Sequence, residues 1–487
     1  MKDFKLINPS FYFLFTIWGI FTKIVIVEFE RGIKMKNRVD LISGNIFQTL
    51  LKLSLPILGT SFIQMAYNMT DMIWIGRVGS DAVAAVGTAG FFTWFGSALV
   101  FISKVGAEIG VAQSIGRDDI KEKNKFVYNS LFINVVTALL YTIILIILRK
   151  QLIGFFNLGD VKIVDMSISY LIIVSLGMVF MFLNPLFTGI FNASGNSKTP
   201  FIINTIGLLF NIVFDPILIF GIAGFPALGV KGAALATVFA QMIVAIIFII
   251  EFIKNGYSLS LDNKKYIDKV HMIKICKLGI PAALQNGLFS FFAMLIGRII
   301  ASWGAVPIAV QKVGSQIEAI SWMTAGGFST ALTSFIGQNY GANKWDRIIK
   351  GYKATMIMAI IVGIFATILL VFFGEQVFAL FIPEAEAIEQ GKVYLRILGY
   401  SQLFMCLEIT TAGAFSGLGN TVTPSWVSIL FTGARVPLAA ILSGIASLGI
   451  DGIWWSISGT SMIKGVLLFV LFIIMILIPN RKRLKMC

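Results

Sequence analysis

Two stretches of this chain repeat each other and decide its fold. Residues 189–200 read Gly-Ile-Phe-Asn-Ala-Ser-Gly-Asn-Ser-Lys-Thr-Pro, and residues 413–424 read Gly-Ala-Phe-Ser-Gly-Leu-Gly-Asn-Thr-Val-Thr-Pro. They share Gly, Phe, Gly-Asn and Thr-Pro in the same positions, so that Gly189 corresponds to Gly413 and Pro200 to Pro424. Each marker alone is weak, because Gly and Pro are frequent in membrane helices. Together they indicate an internal repeat.

Nearly the same register extends toward the beginning of the chain. Three further pairs share one common spacing: Pro56 and Pro281, Gly79 and Gly304, and Gln113 and Gln338. This spacing is one residue longer than that of the later markers, so the second copy has lost one residue in between. Markers in register over half of the chain predict a duplication of the whole fold.

The composition places this duplicated fold in a membrane. Of 487 residues, 57% are hydrophobic and only 13% are charged, whereas soluble domains carry roughly 25% charged residues. Apolar stretches of about 20 residues, long enough to cross a ~30 Å hydrocarbon core, recur along nearly the whole sequence. The length alone would suggest several soluble domains, but the hydropathy outweighs that expectation.

The apolar stretches predict an all-α polytopic membrane protein with twelve transmembrane helices. The predicted spans are 50–77, 82–113, 126–148, 164–191, 200–222, 232–253, 279–303, 307–337, 349–373, 390–415, 424–447 and 453–479. An even number of helices per repeat gives both halves the same orientation, so the repeat is parallel. Two parallel six-helix lobes then enclose a central cleft.

The distribution of charge predicts the orientation. Lys and Arg crowd the 117–125 loop, the 254–277 linker, the 344–353 loop and the tail after residue 480, whereas the loop at 375–386 is acidic. By the positive-inside rule both termini and the linker are cytoplasmic, in a bacterial inner membrane. The net charge of +15 thus reflects topology, and no nucleic-acid partner is expected.

These features divide the chain into five segments. They are an N-terminal extension at 1–45, a six-helix lobe at 46–253, a cytoplasmic linker at 254–277, a second lobe at 278–479 and a basic tail at 480–487. The apolar run from Phe11 to Val27 is short and interrupted by Lys23. A thirteenth helix, an interfacial anchor and an upstream start with Met35 as the true initiator are all open, and we favour the last.

Few residues suit enzymatic chemistry. The three cysteines, Cys276, Cys406 and Cys487, show no metal-ligand spacing, and the one histidine, His271, lies in a Lys-rich connection. A histidine-based zinc site or catalytic triad is therefore excluded, and no cofactor is expected. We interpret the protein as a non-enzyme.

Polar stripes on three predicted helices mark a candidate cation site. Gln64, Asn68 and Asp71 recur on one face of the first helix, and an ionised carboxylate inside a membrane is a functional-site hypothesis by default. The fifth helix carries Asn204, Asn211 and Asp215, and the sixth carries Thr237 and Gln241. Hydrogen bonding between helices remains the alternative for Asn204 and Gln241.

The same residue types suit two coupling ions. Hard cations such as Na⁺ take carboxylate, amide and hydroxyl oxygens. Two carboxylates close together in a low-dielectric medium also suit a proton, because like charges are costly there. The sequence predicts a coupling site for Na⁺ or H⁺ without deciding between them.

Other polar residues are candidates for the wall of the cleft. They are Gln64, Asn68, Asn204, Gln285, Asn286, Gln316 and Glu408. Glu408 has three open interpretations: attraction of cationic substrates, a second coupling site, or a structural pair with Lys312 or Arg435. Lys104 and Glu108, four residues apart, are expected to neutralise each other.

Several motifs resemble the multidrug and toxic compound extrusion (MATE) family. They are Leu55-Pro56-Ile57, Gln64, Asn68, Asp71, Gly76-Arg77, Gly79 and Ala84-Ala85-Val86-Gly87, then Asn211-Ile-Val-Phe-Asp215-Pro216, Gly232-Ala233-Ala234 and Ala236-Thr237, and the two Gly-Asn-Thr-Pro segments. The resemblance covers roughly residues 40–475. It implies a V-shaped cleft and efflux of bulky, mostly cationic drugs or metabolites in exchange for Na⁺ or H⁺.

The resemblance also implies roles for particular residues. Asp71, Asn211, Asp215 and Thr237 match the cation-binding positions of the first lobe. One branch of the family has an acid on its seventh helix where this sequence has Phe289, so a second-lobe cation site is in doubt and the chain is similar to the DinF-like branch. Across the repeat, Asp71 corresponds to Ile296 and Asp215 to Ala439.

The sequence therefore predicts a monomeric antiporter of small molecules in the lipid bilayer, coupled through its first lobe. The rival interpretation is a lipid-linked glycan flippase of the same fold superfamily, which needs several intramembrane arginines. Few arginines lie in the predicted spans, among them Arg298 and Arg435. A membrane-embedded enzyme lacks its nucleophile–base cluster, and a channel lacks a filter-like loop.

Overall fold

The computed structural model describes residues 38–257, 265–382 and 384–480, and these residues fold into helices without a β-strand. The helices of the first half are α1 (Ile46–Val78), α2 (Ser80–Gly116), α3 (Ile120–Gly154), α4 (Val161–Leu176), α5 (Met178–Ala193), α6 (Lys198–Phe220) and α7 (Val230–Lys254). Those of the second half are α8 (Lys269–Ala301), α9 (Ala305–Gly341), α10 (Trp345–Phe372), α11 (Gly374–Ala379), α12 (Ala385–Gly399), α13 (Gln402–Gly417), α14 (Val422–Ser443) and α15 (Asp451–Phe472), which a π-helical turn at Ile473–Leu477 extends.

Twelve membrane crossings account for these helices. Nine helices in the described part of the chain are long and apolar enough to cross a membrane, and α4 with α5 forms a tenth, bent crossing. The eleventh is α9, which has 37 residues like its counterpart α2 but is more polar because it carries Lys312, Gln316 and Glu318. The twelfth is the pair α12 and α13, which occupies the place of α4 and α5 in the second lobe. The predicted all-α fold with two six-helix lobes is confirmed.

The repeat is visible in the turns as well as in the helix ends. Single glycines at φ 136° (Gly79) and 110° (Gly304) join the first two helices of each lobe, and only a residue without a Cβ adopts this backbone easily. The next turns place Asp118 and Asn343 at φ 58° and 56°, a left-handed conformation that Asp and Asn tolerate. The same chain positions therefore build the same turns in both lobes.

Two predicted spans are wrong in their geometry. The prediction treated 164–191 and 390–415 as single helices, but the first breaks at Gly177 with a bend of 50° and the second breaks at Tyr400 and Ser401. The linker also ends earlier than the predicted residue 277, because the Asp268 side chain caps α8 by accepting a hydrogen bond from the His271 amide at 2.8 Å. Predictions for residues 1–37 and for the tail after residue 480 lie outside the described residues.

The beginning of each lobe's first helix packs against the other lobe. Leu50 and Leu53 of α1 lie in an apolar cluster formed mainly by second-lobe helices, and Ile275 of α8 lies in a first-lobe cluster with Phe187 and Phe248. We refer to the end of the bundle that carries residues 255–257 and 265–268 as the linker end and to the opposite end as the far end. The two lobes are thus joined at the linker end.

Candidate functional site

A large cleft separates the two lobes and opens toward the far end. Its volume is about 1700 Å³. Its walls come mainly from α1 and α2 of the first lobe and from α8, α9, α10 and α13 of the second. Apolar side chains cover most of the wall, among them Met65, Met69, Trp94, Phe101 and Trp322. A cleft of this size and lining accommodates a drug-sized amphipathic molecule.

Most of the predicted cleft residues lie where the sequence placed them. Gln64, Asn68, Gln285, Asn286, Gln316 and Glu408 all line the cleft. Asn204 is not among the lining residues; its side-chain amide donates to the Pro200 carbonyl of its own helix at 2.7 Å. Met65, Met69 and Met72 line the cleft as well, which gives it an adaptable apolar surface.

The candidate cation site lies inside the first lobe. Asp71 of α1 faces both Asp215 and Asn211 of α6, and the Asn211 amide donates to the Asp215 carboxylate at 3.0 Å. Asn211 and Asp215 are fully buried, and Thr237 of α7 is nearly so. The sequence therefore identified the residues that the structure brings together.

Two tyrosines that the sequence analysis did not consider complete the surroundings. Tyr67, one turn before Asp71 on α1, faces Thr237 and Gln241, and its hydroxyl lies close to both carboxylates. Tyr170 of α4 also lies within electrostatic range of both acids. The spacing of four residues between Tyr67 and Asp71 was a signal that could have found the first one.

The site contains more oxygen atoms than it can satisfy internally. Four buried oxygens have no hydrogen-bond partner: Asp71 Oδ1, Asn211 Oδ1, Asp215 Oδ2 and the Tyr67 hydroxyl. Buried polar atoms without partners are costly, so a native structure needs a reason for a cluster of them. A bound cation or proton provides one, because carboxylate, amide and hydroxyl oxygens are the ligands of hard cations. The described residues contain no group of three His, Cys, Asp or Glu side chains arranged for a transition metal.

The second lobe fills the equivalent position with its own cation. Arg435 of α14 stands where Asn211 stands in the first lobe, and its guanidinium donates to Thr460 at 2.9 Å and Ser461 at 2.7 Å. It lies within electrostatic range of Glu318 and Glu408. Ile296 and Ala439, which replace the first-lobe carboxylates, lie in an apolar cluster. The two lobes share a fold but differ in the chemistry of this position.

Glu408 has a partner that the sequence did not suggest. Its carboxylate pairs with the Lys464 ammonium of α15 at 2.9 Å, and the side chains are 9% and 6% exposed. The prediction that Glu408 pairs directly with Lys312 or Arg435 is therefore wrong. A buried acid with a buried base at this distance is neutralised within the protein.

The expected ion pair between Lys104 and Glu108 does not form. Both residues line the cleft, but among the described residues the Lys104 ammonium has no ion pair, and Phe101 lies under it at 5.4 Å. Glu108 is buried, and its Oε1 has no hydrogen-bond partner. Helical spacing brought the two charges to one face without bringing them into contact.

Two crossed glutamines close the linker end. Gln113 at the end of α2 donates to the Gly417 carbonyl at 3.0 Å, and Gln338 at the end of α9 donates to the Ala193 carbonyl at 2.7 Å. Each acceptor is the last residue of the broken helix in the other lobe, where carbonyls lack an intrahelical partner. The two hydrogen bonds are equivalent under the repeat. We call this pair the glutamine clamp.

Close backbone contact accompanies the glutamine clamp. A Cβ atom added to Gly116 would lie 2.0 Å from the Gln338 carbonyl oxygen, and one added to Gly341 would lie 2.1 Å from the Gln113 carbonyl oxygen. Only glycine permits this approach of the two helices. The glutamines that marked the repeat in the sequence, together with these two glycines, are thus the contacts that seal the cleft at the linker end.

The segments that precede each lobe reinforce this seal. Asn339 and Arg347 of the second lobe donate to the carbonyls of Leu41, Ser43 and Gly44, at distances from 2.8 Å to 3.3 Å. Asn129 of the first lobe donates to the Tyr266 carbonyl at 2.8 Å, just before α8. Each lobe therefore holds the entry to the other lobe's first helix.

A cleft between two parallel six-helix lobes, sealed at one end and open at the other, is typical of a membrane transporter. The MatE family model matches the chain twice, at residues 56–217 and 281–441, in the register of the repeat. The chain belongs to the MATE family, whose members are transporters and not enzymes. The predicted family is confirmed.

Individual relatives support the same assignment. The chain is 26% identical over 428 residues to the "Probable multidrug resistance protein NorM" of Thermotoga maritima, covering 87% of this chain and 91% of the relative. It is 27% identical to the "Probable multidrug resistance protein YoeA" of Bacillus subtilis, covering 84% and 90%. A solved outward-facing MATE family transporter matches with a TM-score of 0.81 at 23% identity, over 89% and 96% of the two chains. These matches do not test the prediction of a DinF-like branch.

Proposed function

We propose that this protein exports bulky, mostly cationic drugs or metabolites by antiport against Na⁺ or H⁺. The observation that carries the proposal is the cluster of four unsatisfied oxygens around Asp71 and Asp215. It lies inside one lobe, apart from the residues that line the cleft. Ion and substrate therefore occupy different places, as coupling through a change of shape requires.

Alternating access gives the cycle. With the cleft open to the far end, which we assign to the outside, the first-lobe carboxylates take up the ion and substrate leaves. Opening of the linker end breaks the glutamine clamp, releases the ion and admits new substrate. Exchange follows if ion and substrate each stabilise a different state.

The remaining predictions fit this proposal. Basic residues at the linker end support a cytoplasmic location of both termini, in a bacterial inner membrane. Glu108 in the cleft wall favours substrates with a cationic group. Two relatives carry substrate classes in their names, the "Multidrug export protein MepA" of Staphylococcus aureus and the "FAD transporter" of Shewanella oneidensis. We retain a monomer as the working state.

The glycan flippase is the weaker candidate. A cleft for a pyrophosphate needs several arginines, and the described residues that line this cleft include none. Arg435 is committed to Thr460 and Ser461, and Arg298 is exposed on α8 away from the cleft lining.

Everted membrane vesicles test the proposal directly. An imposed Na⁺ or H⁺ gradient is expected to drive uptake of fluorescent cations, and Asp71→Asn or Asp215→Asn is expected to abolish the ion-driven part. Asp165→Asn, a substitution of an acid in α4 outside the site, serves as the matched control. Unchanged ion-driven uptake in both site variants refutes the assignment.

A further inference from the structure

One helix face presents an ordered set of side chains to the cleft. Trp94, Ser97, Phe101, Lys104 and Glu108 of α2 follow one another at intervals of three and four residues, which places them on one side of the helix. All five line the cleft. Two aromatic rings thus lead inward to a lysine and then to a glutamate.

Lys104 lies deep in the cleft. Helix α2 begins at the far end with Ser80 and reaches Lys104 well past its middle, whereas the equivalent helix α9 begins with Ala305 and reaches Lys312 within its first turns. At a rise of 1.5 Å per residue these positions are about 36 Å and about 10 Å from the helix ends. Lys312 therefore marks the mouth of the cleft and Lys104 its floor.

Lys104 differs from the other deep cations of the molecule because, among the described residues, its ammonium contacts an aromatic ring, that of Phe101, and no charged or hydroxyl group. Lys464 pairs with Glu408, and Arg435 is held by two hydroxyl groups. In the part of the chain that the structure describes, Lys104 forms neither an ion pair nor a side-chain hydrogen bond. A cation inside a membrane protein without a partner is costly, which makes it a candidate for ligand binding.

A second polar group at the floor of the cleft also indicates ligand binding. Glu108 is 6% exposed, and its buried Oε1 has no hydrogen-bond partner. The floor thus offers one unpaired cation and one unsatisfied acceptor. The negative charge of Glu408, by contrast, is already taken by Lys464.

We propose that Lys104 binds an acidic group, a carboxylate or a phosphate, on the transported molecule. The aromatic or apolar body of that molecule packs on Phe101 and Trp94, and a hydrogen-bond donor or cationic group on it reaches Glu108. The inference rests on the proposed transport function and specifies its substrates: amphipathic molecules with both an acidic and a basic group. A charge-assisted hydrogen bond is roughly twice as strong as a neutral one, so the acidic group adds to the affinity.

The test uses proteoliposomes and a matched pair of fluorescent aromatic amines, one bearing a carboxylate and the other its methyl ester. In the wild-type protein the KM of the acid is expected to be about tenfold lower than that of the ester. Lys104→Gln is expected to raise the KM of the acid about tenfold and to leave the ester unchanged, whereas Lys104→Arg keeps the preference. Lys150→Gln, which removes an exposed lysine of α3 outside the cleft lining, is the matched control and keeps the preference as well.

Each outcome of this experiment either supports or refutes the role of Lys104. A wild-type protein that does not prefer the acid over the ester refutes the inference without any variant. A Lys104→Gln substitution that affects transport of both compounds equally, or of neither, refutes it as well. In those cases the proposed transport function is unaffected, and only the role of Lys104 is refuted. If the wild-type protein transports neither compound nor any organic cation under any ion gradient, the proposed function fails together with it.

Discussion

Removal of the glutamine clamp is expected to shift the protein toward a state open at the linker end. Gln113→Ala deletes the hydrogen bond to Gly417, and Gln338→Ala deletes the one to Ala193. Each bond exists only while the two lobes touch at this end. Its loss therefore destabilises the sealed state without a corresponding loss in the open one.

The size of the shift follows from two ordinary hydrogen bonds. Each contributes about 0.5–1.5 kcal/mol net, so the pair contributes about 1–3 kcal/mol to the sealed state. This corresponds to a change of roughly 5- to 150-fold in the equilibrium between sealed and open forms. Single variants are expected to give about half of the free-energy change.

Distances between spin labels at Lys121 and Lys350 measure this equilibrium. Both residues are exposed at the linker end, one in each lobe. The double variant is expected to transfer population from the short to the long distance, in a background without native cysteines. Gln151→Ala, an exposed glutamine on α3, is the matched control and is expected to leave the distribution unchanged. An unchanged distribution in the double variant would refute the gating role of the glutamines.

Three further results are expected. Gly116→Ala places a Cβ atom 2.0 Å from the Gln338 carbonyl oxygen, so the lobes must separate and the thermal midpoint of unfolding in detergent is expected to fall. Gly297→Ala, whose new Cβ has no atom within 4 Å, is the control and is expected to change the midpoint little. Equal midpoints for the two variants would contradict the close contact. Lys464→Met leaves the buried Glu408 without its partner and is expected to lower the free energy of unfolding in denaturant by about 3–5 kcal/mol. Adding Glu408→Gln is expected to restore most of this free energy. A double variant as unstable as the single one would show that the charge pair is not the cause. Slight burial raises the pKa of Asp268, but hydrogen bonds from the His271 amide and ring and the charges of His271 and Lys125 outweigh it and hold the pKa below its ordinary value. The stabilisation of α8 by the Asp268 cap is therefore fully present above about pH 4 and is lost as the pH falls through the lowered pKa. Hydrogen exchange at the start of α8 is expected to accelerate over this pH range in the wild-type protein and not in Asp268→Asn. Parallel pH profiles of the two proteins would contradict a role of the Asp268 carboxylate as the cap.

Much of the architecture was accessible from the sequence because the repeat fixes equivalent positions. Gly79 and Gly304, a pair of repeat markers, form equivalent turns, and the paired markers Gln113 and Gln338 form contacts between the lobes. The stripe that ends at Asp71 and the helix face of Asn211 and Asp215 converge as predicted, since helical periodicity states which side chains share a face.

Contacts between distant helices could not be predicted in the same way. Glu408 lies on α13 and Lys464 on α15, in an apolar span, and nothing in their spacing along the sequence relates them. Lys104 and Glu108 show the opposite error, because residues four apart on a helix can share a face without touching. The break at Gly177 was also missed, because a continuous apolar run carries no sign of a bend.

One part of the asymmetry between equivalent positions became clear only in the structure. The sequence showed that the second lobe lacks the carboxylates of the first. It did not show that Arg435 places a permanent charge where Asn211 contributes to the candidate cation site. A lobe that carries its own cation has less need of a bound one, which is the physical basis for placing coupling in the first lobe.

Ion binding to the purified protein tests this central claim most directly. Radioactive Na⁺ binding and proton uptake, measured side by side on the same preparation, show which ion is bound and at how many sites. We predict one binding event that is lost in Asp71→Asn and in Asp215→Asn and kept in the Glu408→Gln, Lys464→Met double variant. Binding that survives both first-lobe substitutions, or that disappears in the second-lobe variant, would contradict the account.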